Sequence, residues 1–292
     1  MSSQLAIARL RRDLTLGRML NWALFAGVVL CVPLGAALDQ RYGDVLTLTA
    51  LGLVWIALGY WSMKGSRLAA GSPQLIATGQ FDLAEYQIEQ ALRTFSLFRT
   101  SKLMSLHHLA VLRHAQRRWA DAVVLCQALL RQRLGGLAGL TRQSRLILAE
   151  SLLELGDLRG AYDSIAALYS QRLSLAEGMK LLTLQLDYLS RVHAWEAMLQ
   201  GLESKVQLAE LMNTASSART QALLGLAAHS SGRSDWATWL RRRVELLVDV
   251  KDLVAARPPL AILWPASAST SAAAGAAPLD HSVSDSTHSE AH

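Results

Sequence analysis

The chain has 292 residues, a formal net charge of +6 and two cysteines, Cys31 and Cys126. Two thiols 95 positions apart argue against a disulfide framework or a thiolate metal site, and both read as buried small hydrophobes. An apolar share of 51% against 18% charged is rich for a soluble protein, and the excess is concentrated in residues 19–63.

Residues 1–18 form a basic N-terminus with Arg9, Arg11, Arg12 and Arg18 against Asp13. From Met19 to Leu38 the chain is apolar apart from Asn21. That is about the 20 residues a helix needs to cross a bilayer. Asp39 to Asp44 is a polar break, and a second apolar span runs over 45–63, with Tyr60 and Trp61 placed for a membrane–water interface. Six residues suffice only for a tight turn, so 19–38 and 45–63 are expected to form a transmembrane helical hairpin. Four arginines precede it, Arg41 lies in the turn, and Lys64 and Arg67 follow. The positive-inside rule then puts both termini and everything after Met63 in the cytoplasm, with a bacterial inner membrane as the expected location. Gly35-Ala36-Ala37 resembles a signal-peptide cleavage site, but the apolar run before it exceeds the usual 7–15 residues.

Beyond the hairpin a turn motif recurs: Gly79-Gln80-Phe81-Asp82-Leu83-Ala84, then Arg117-Arg118-Trp119-Ala120-Asp121-Ala122. Next come Gly156-Asp157-Leu158-Arg159-Gly160-Ala161, the degenerate His193-Ala194-Trp195-Glu196-Ala197-Met198, and Gly232-Arg233-Ser234-Asp235-Trp236-Ala237. The starts step by 38, 39, 37 and 39 residues, a steady period that signals an α-solenoid. Each motif reads as a chain reversal between two helices, an apolar residue sealing the turn, and a small residue admitting close helix approach. Stripes such as Ala84, Ile88, Ala91 and Leu92 give each second helix one buried face.

The pattern resembles the tetratricopeptide repeat (TPR) family over roughly residues 72–250, most closely at Gly79, Phe81, Ala84 and Ala91 and at Ala149, Gly156, Leu158 and Ala161. The expected fold is therefore all-α, a transmembrane hairpin followed by a TPR-like solenoid of about five helix pairs over 64–257. The resemblance implies a scaffold that binds proteins or peptides on the face lined by first helices, and it implies no catalysis. In that register the partner-binding row comprises Met104, His107, Val111 and His114; Gln143, Ile147 and Glu150; Lys180, Leu184 and Asp187; and Arg219, Leu223 and Leu226. The Lys/Asn set with which chaperone-binding members clamp a carboxylate is missing from the matching positions.

Arg257-Pro258-Pro259 ends the last helix, and the apolar piece Leu260 to Trp264 is expected to cap the repeats within 258–265. Residues 266–292 are too poor in large apolar side chains to fold and read as a disordered tail.

Charge divides the repeats. Arg99, Lys102, Arg113, Arg117, Arg118, Arg131, Arg133, Arg142 and Arg145 face Asp121 alone, whereas 150–210 carries nine acids against five bases. The nine are expected to form a basic surface, and anionic lipid or an acidic partner is a second candidate function for it. No nucleic-acid partner is expected, since aromatic residues interleave too sparsely to stack bases. His107 and His114 stand two turns apart, about 10 Å along a helix, and no carboxylate or Cys lies beside them at ligand spacing, so no metal is expected. Gly135-Gly136-Leu137-Ala138-Gly139 lacks the Lys-Ser/Thr of a phosphate loop, and no nucleophile elbow or zinc-protease helix is present. No cofactor and no enzymatic activity are expected.

Overall fold

The computed structural model describes residues 2–37, 49, 52–57, 59–60, 62–63, 69–96, 98–132 and 136–265. The side chains of 24, 28 and 30–37 fall outside that description, as do the predicted turn at 39–44, much of the 45–63 span, Arg133 and the tail 266–292. The described chain is all-α and without a strand: thirteen bounded helices and one 3-10 turn, with further helical residues at 49, 52–57, 59–60, 62–63 and 69–70. They are α1 (Ser3–Ala37), α2 (Ser72–Ala77), α3 (Phe81–Arg93), α4 (Arg99–Ala115), α5 (Trp119–Leu130), α6 (Ala138–Glu154) and α7 (Leu158–Tyr169). Then follow α8 (Leu175–Arg191), α9 (Trp195–Leu199), α10 (Leu202–Glu210), α11 (Thr214–Ser230), α12 (Ser234–Leu247), α13 (Val250–Ala256) and the 3-10 turn Pro258–Leu263. The chain divides into two compact units, residues 1–184 and 185–292.

All five motif starts are left-handed turns: Gly79, Arg117, Gly156, His193 and Gly232 have φ of 77°, 58°, 79°, 56° and 72°. In each, that residue's amide donates to the carbonyl three before it, and the next amide to the carbonyl five before it. At Gly156 these bonds are 3.0 Å to Leu153 and, from Asp157, 2.9 Å to Leu152; at Arg233 the bond to Ala228 is 2.8 Å. This double bond closes the end of a helix and turns the chain back. The residue five after each turn, Ala84, Ala122, Ala161, Met198 or Ala237, is buried.

In the first unit α2 and α3, α4 and α5, and α6 and α7 pack as antiparallel pairs, and the first helices α2, α4 and α6 also touch in succession. In the second, α11 packs on α12, and the 3-10 turn packs on α11. Leu260, Leu263 and Trp264 are buried there while Ile262 is exposed, and the Trp264 indole N–H donates to Glu245 at 2.8 Å.

One expectation needs correction. The fourth pair has no continuous second helix: α9 ends after five residues, Gln200 is extended and Gly201 is left-handed before α10 begins. The basic N-terminal stretch packs onto the helices that follow. Ser3, Ala6, Ile7, Leu10 and Asp13 share one face of α1 and are buried against α3, α4 and α5.

Among the described residues no helix is long and apolar enough to cross a membrane. Their exposure is nevertheless uneven. From Arg18 to Val29 every described side chain is exposed except the half-buried Leu20 and Gly27, and residues 52–57 are exposed all round.

Candidate interaction surfaces and the junction of the first helix

A polar ladder ties the first helices of the first unit together. The Ser72 hydroxyl donates to the Ala69 carbonyl at 2.8 Å, so His108 Nδ1–H donates to Ser72 Oγ at 3.0 Å. One repeat later His107 Nε2–H donates to Gln143 Oε1 and its Nδ1 accepts from the Ser144 hydroxyl, both at 3.2 Å. His114 Nε2 lies 3.1 Å from Glu150 Oε2, which also has the Lys180 ammonium 3.8 Å away. The hydrogen-bonded partners are separated by 36 or 37 residues, close to the repeat period. Burial holds the pKa of His107 down at about 4, and it lowers that of His108 as well. The buried His107 ring is therefore a neutral structural link.

The predicted binding row is thus split by depth. Met104, Gln143 and Lys180 are exposed or partly so, as are Val111, His114 and Glu150, but His107 and Ile147 are buried and do not face a groove. In the second unit Asp187 is also buried, with Arg219, Arg257 and Arg191 nitrogens at 2.8, 3.1 and 3.5 Å. Asp187 and Arg219 therefore form a structural knot that fastens the segment leading into the 3-10 turn. Leu184 lies buried in the first unit, and Leu223 and Leu226 in the second.

The basic surface changes most. Lys102 is 2% exposed: its ammonium lies 2.8 Å from Asp13 of α1 and donates to the carbonyls of Leu92 (2.9 Å), Ala91 (3.3 Å) and Thr94 at the end of α3. Arg113 is 1% exposed and grips both Glu85 oxygens at 2.7 and 2.8 Å while donating to Gln116. Arg113's hydrogen bond is the chief reason the Glu85 carboxyl sits at about 2. Arg118 pairs with Asp121 at 2.6 Å, and Arg142 with Glu177 at 3.0 Å. Neither Lys102 nor Arg113 can present charge to a surface. Arg99, Arg117 and Arg131 are exposed, and Arg145 is half-buried.

Sequence reading missed the junction between α1 and the repeats. The Ser3 hydroxyl hydrogen-bonds Asp121, and this bond is the main cause of that carboxyl's lowered pKa. Further along, Asp13, Gly17, Arg18, Asn21, Trp22 and Phe25 of α1 face Ser96, Arg99 and Gln132 across a cavity of about 460 Å³. Ser62, near the end of the second apolar segment, is buried and lies 2.6 Å from the Ser96 hydroxyl, and the Phe98 amide donates to Ser62 Oγ at 3.4 Å. The only signal was the alternation of small and apolar residues at Ser3, Ala6, Ile7 and Leu10.

Cys126 is fully buried, its thiol pushed up to about 12 by burial, which leaves no thiolate to react at neutral pH. Among the described residues no group of three or more His, Cys, Asp or Glu side chains is arranged to hold a metal ion. Comparison of the chain with protein families, curated proteins and solved structures returns no match.

Proposed function

We propose that this chain is a membrane-anchored, non-catalytic scaffold of TPR type that holds a protein partner at the cytoplasmic face of a membrane, a bacterial inner membrane in the first instance. The observation that carries the reading is the meeting of two apolar segments at one place. The exposed part of α1 leaves the domain beside Ser96, and the segment ending at Ser62 returns to that same serine. Segments exposed on all sides and rich in Trp, Phe, Val and Ile gain free energy in a lipid phase and lose it in water. An antiparallel hairpin inserted from this junction would leave both its ends on the domain's side of the membrane.

The partner would use the exposed part of the first-helix row, Met104 and Val111 with Gln143 and Lys180. The test is co-purification of the full-length protein from its native membrane in mild detergent, wild type against Met104→Glu/Lys180→Glu, read by mass spectrometry. A stoichiometric protein lost from the variant supports the scaffold. Wild-type protein that brings down nothing in stoichiometric amount rejects it. The alternative, a basic repeat over 99–145 lying on anionic lipid, loses support because Lys102 and Arg113 are buried and two of the other arginines are paired.

A further inference from the structure

We infer that the cavity between α1 and the Ser96–Arg99 corner is a binding site for the phosphate headgroup of an anionic glycerophospholipid; this rests on the membrane-anchor reading. Three observations converge. First, the cavity stands where α1 passes from its packed, basic stretch to its exposed, apolar one, the level at which lipid headgroups lie. Second, its lining is divided by chemistry. Arg18 and Arg99 supply guanidinium donors, Asn21 an amide, and Trp22 and Phe25 an apolar wall, their rings edge-on at 6.1 Å. Arg18, Asn21, Trp22 and Phe25 recur at helical spacing on one side of α1, so the helix itself sets the donors below the aromatic pair.

Third, the polar groups of the lining suit an anion. Asp13 also lines the cavity, but its carboxylate is matched by the buried Lys102 ammonium at 2.8 Å. Arg18 and Arg99 bring two guanidinium groups to the same lining. Arg99 is the first residue of α4, a 17-residue helix with no acid in its first turn, so the positive end of its dipole adds to the guanidinium. Guanidinium forks bind phosphate by paired, charge-assisted hydrogen bonds. The cavity volume of about 460 Å³ suits one headgroup. Trp22 and Phe25 would cover the glycerol and the first acyl carbons, which a soluble phosphate does not possess.

The experiment uses the full chain reconstituted in nanodiscs and released into dodecyl maltoside, with retained lipid read by native mass spectrometry. Phosphatidylglycerol competes with phosphatidylcholine, and a parallel arm offers inorganic phosphate. Expected is one phosphatidylglycerol per chain, retained at least tenfold over phosphatidylcholine, falling at least tenfold in Arg18→Gln and in Arg99→Gln. Arg11→Gln, an exposed arginine of α1 outside the cavity, should keep it. Equal retention of both lipids, or unchanged retention in both cavity variants, overturns the proposal. So does inorganic phosphate that displaces phosphatidylglycerol at millimolar concentration. Circular dichroism shows whether each variant is folded; if Arg99→Gln is not, Arg18→Gln decides. Carbonate extraction of the wild type from native membranes separates the two readings. A chain that resists extraction but shows no lipid preference refutes the headgroup site alone, whereas an extracted chain refutes the anchor beneath it.

Discussion

Removing Asp13 separates a helix that merely precedes the repeats from one that is built into them. In the native protein the Lys102 ammonium sits at 2% exposure with one carboxylate and three carbonyl groups around it. Asp13→Ala leaves that charge buried with only the carbonyls. Breaking one side of a buried pair costs about 3–5 kcal/mol. The carbonyls lie at the negative end of α3, and cation stabilisation there is worth up to about 2 kcal/mol. With the full helix-end contribution subtracted, the expected loss is about 1–3 kcal/mol. Lys102→Met leaves the Asp13 carboxylate only the exposed Arg12 guanidinium 3.7 Å away and should lose about 3 kcal/mol, the low end of the cost of breaking a buried pair. Asp13→Leu/Lys102→Met should lose less than the sum of the single changes, because neither charge is left alone. Urea unfolding of full-length protein in a neutral detergent, followed by circular dichroism, measures wild type and variants alike. A loss below about 0.5 kcal/mol in Asp13→Ala, or simple additivity across the cycle, would show that the pair is exposed in solution. The docking of α1 would then be wrong.

Other outcomes follow from the same geometry. His107 is neutral when folded, with its pKa lowered from 6.5 to about 4 by burial. The unfolded chain takes up a proton first, so stability present above pH 6.5 falls as pH drops towards 4, by about 3 kcal/mol at most. His107→Gln should flatten the stability–pH profile in that window, and an unchanged slope would refute the assignment. Arg117 holds a left-handed conformation that glycine adopts freely, so Arg117→Gly should stabilise by about 0.5–1 kcal/mol, whereas Gly156→Ala should destabilise by about 1–2 kcal/mol. Thermal unfolding of the two variants checks the opposite signs. Asp187→Asn removes the carboxylate at the centre of three arginines. With those arginines partly solvated the cost is about 1–3 kcal/mol, seen as faster hydrogen exchange over residues 258–264.

The turns were legible because they are local. A left-handed residue, an apolar seal and a small residue on the next helix fall within six consecutive positions, and the pattern survives even where Arg117 and His193 replace glycine. The break at Gln200 and Gly201 was not read, although Met198 in place of the small residue marked that copy as different. Charge was read least well. Lys102 and Arg113 look like surface residues by type, yet their partners Asp13 and Glu85 come from α1 and α3, and no spacing rule joins those positions. The first-helix ladder of Ser72, His107, His108, Gln143 and Ser144 was readable in principle, because its partners stand about one repeat apart. Reading it required treating the period as a rule for polar pairs as well as for apolar stripes.

The proposed membrane anchor is tested most directly by the sidedness of single cysteines. In a Cys31→Ala/Cys126→Ala background, Asp44→Cys and Ser269→Cys would be labelled in intact bacterial cells with a membrane-impermeant maleimide, before and after permeabilisation. A hairpin with both ends in the cytoplasm predicts labelling of Asp44→Cys in intact cells and of Ser269→Cys only once the membrane is opened. Protection of both positions until permeabilisation would mean that the apolar segments do not cross the bilayer, and would refute the proposed anchor.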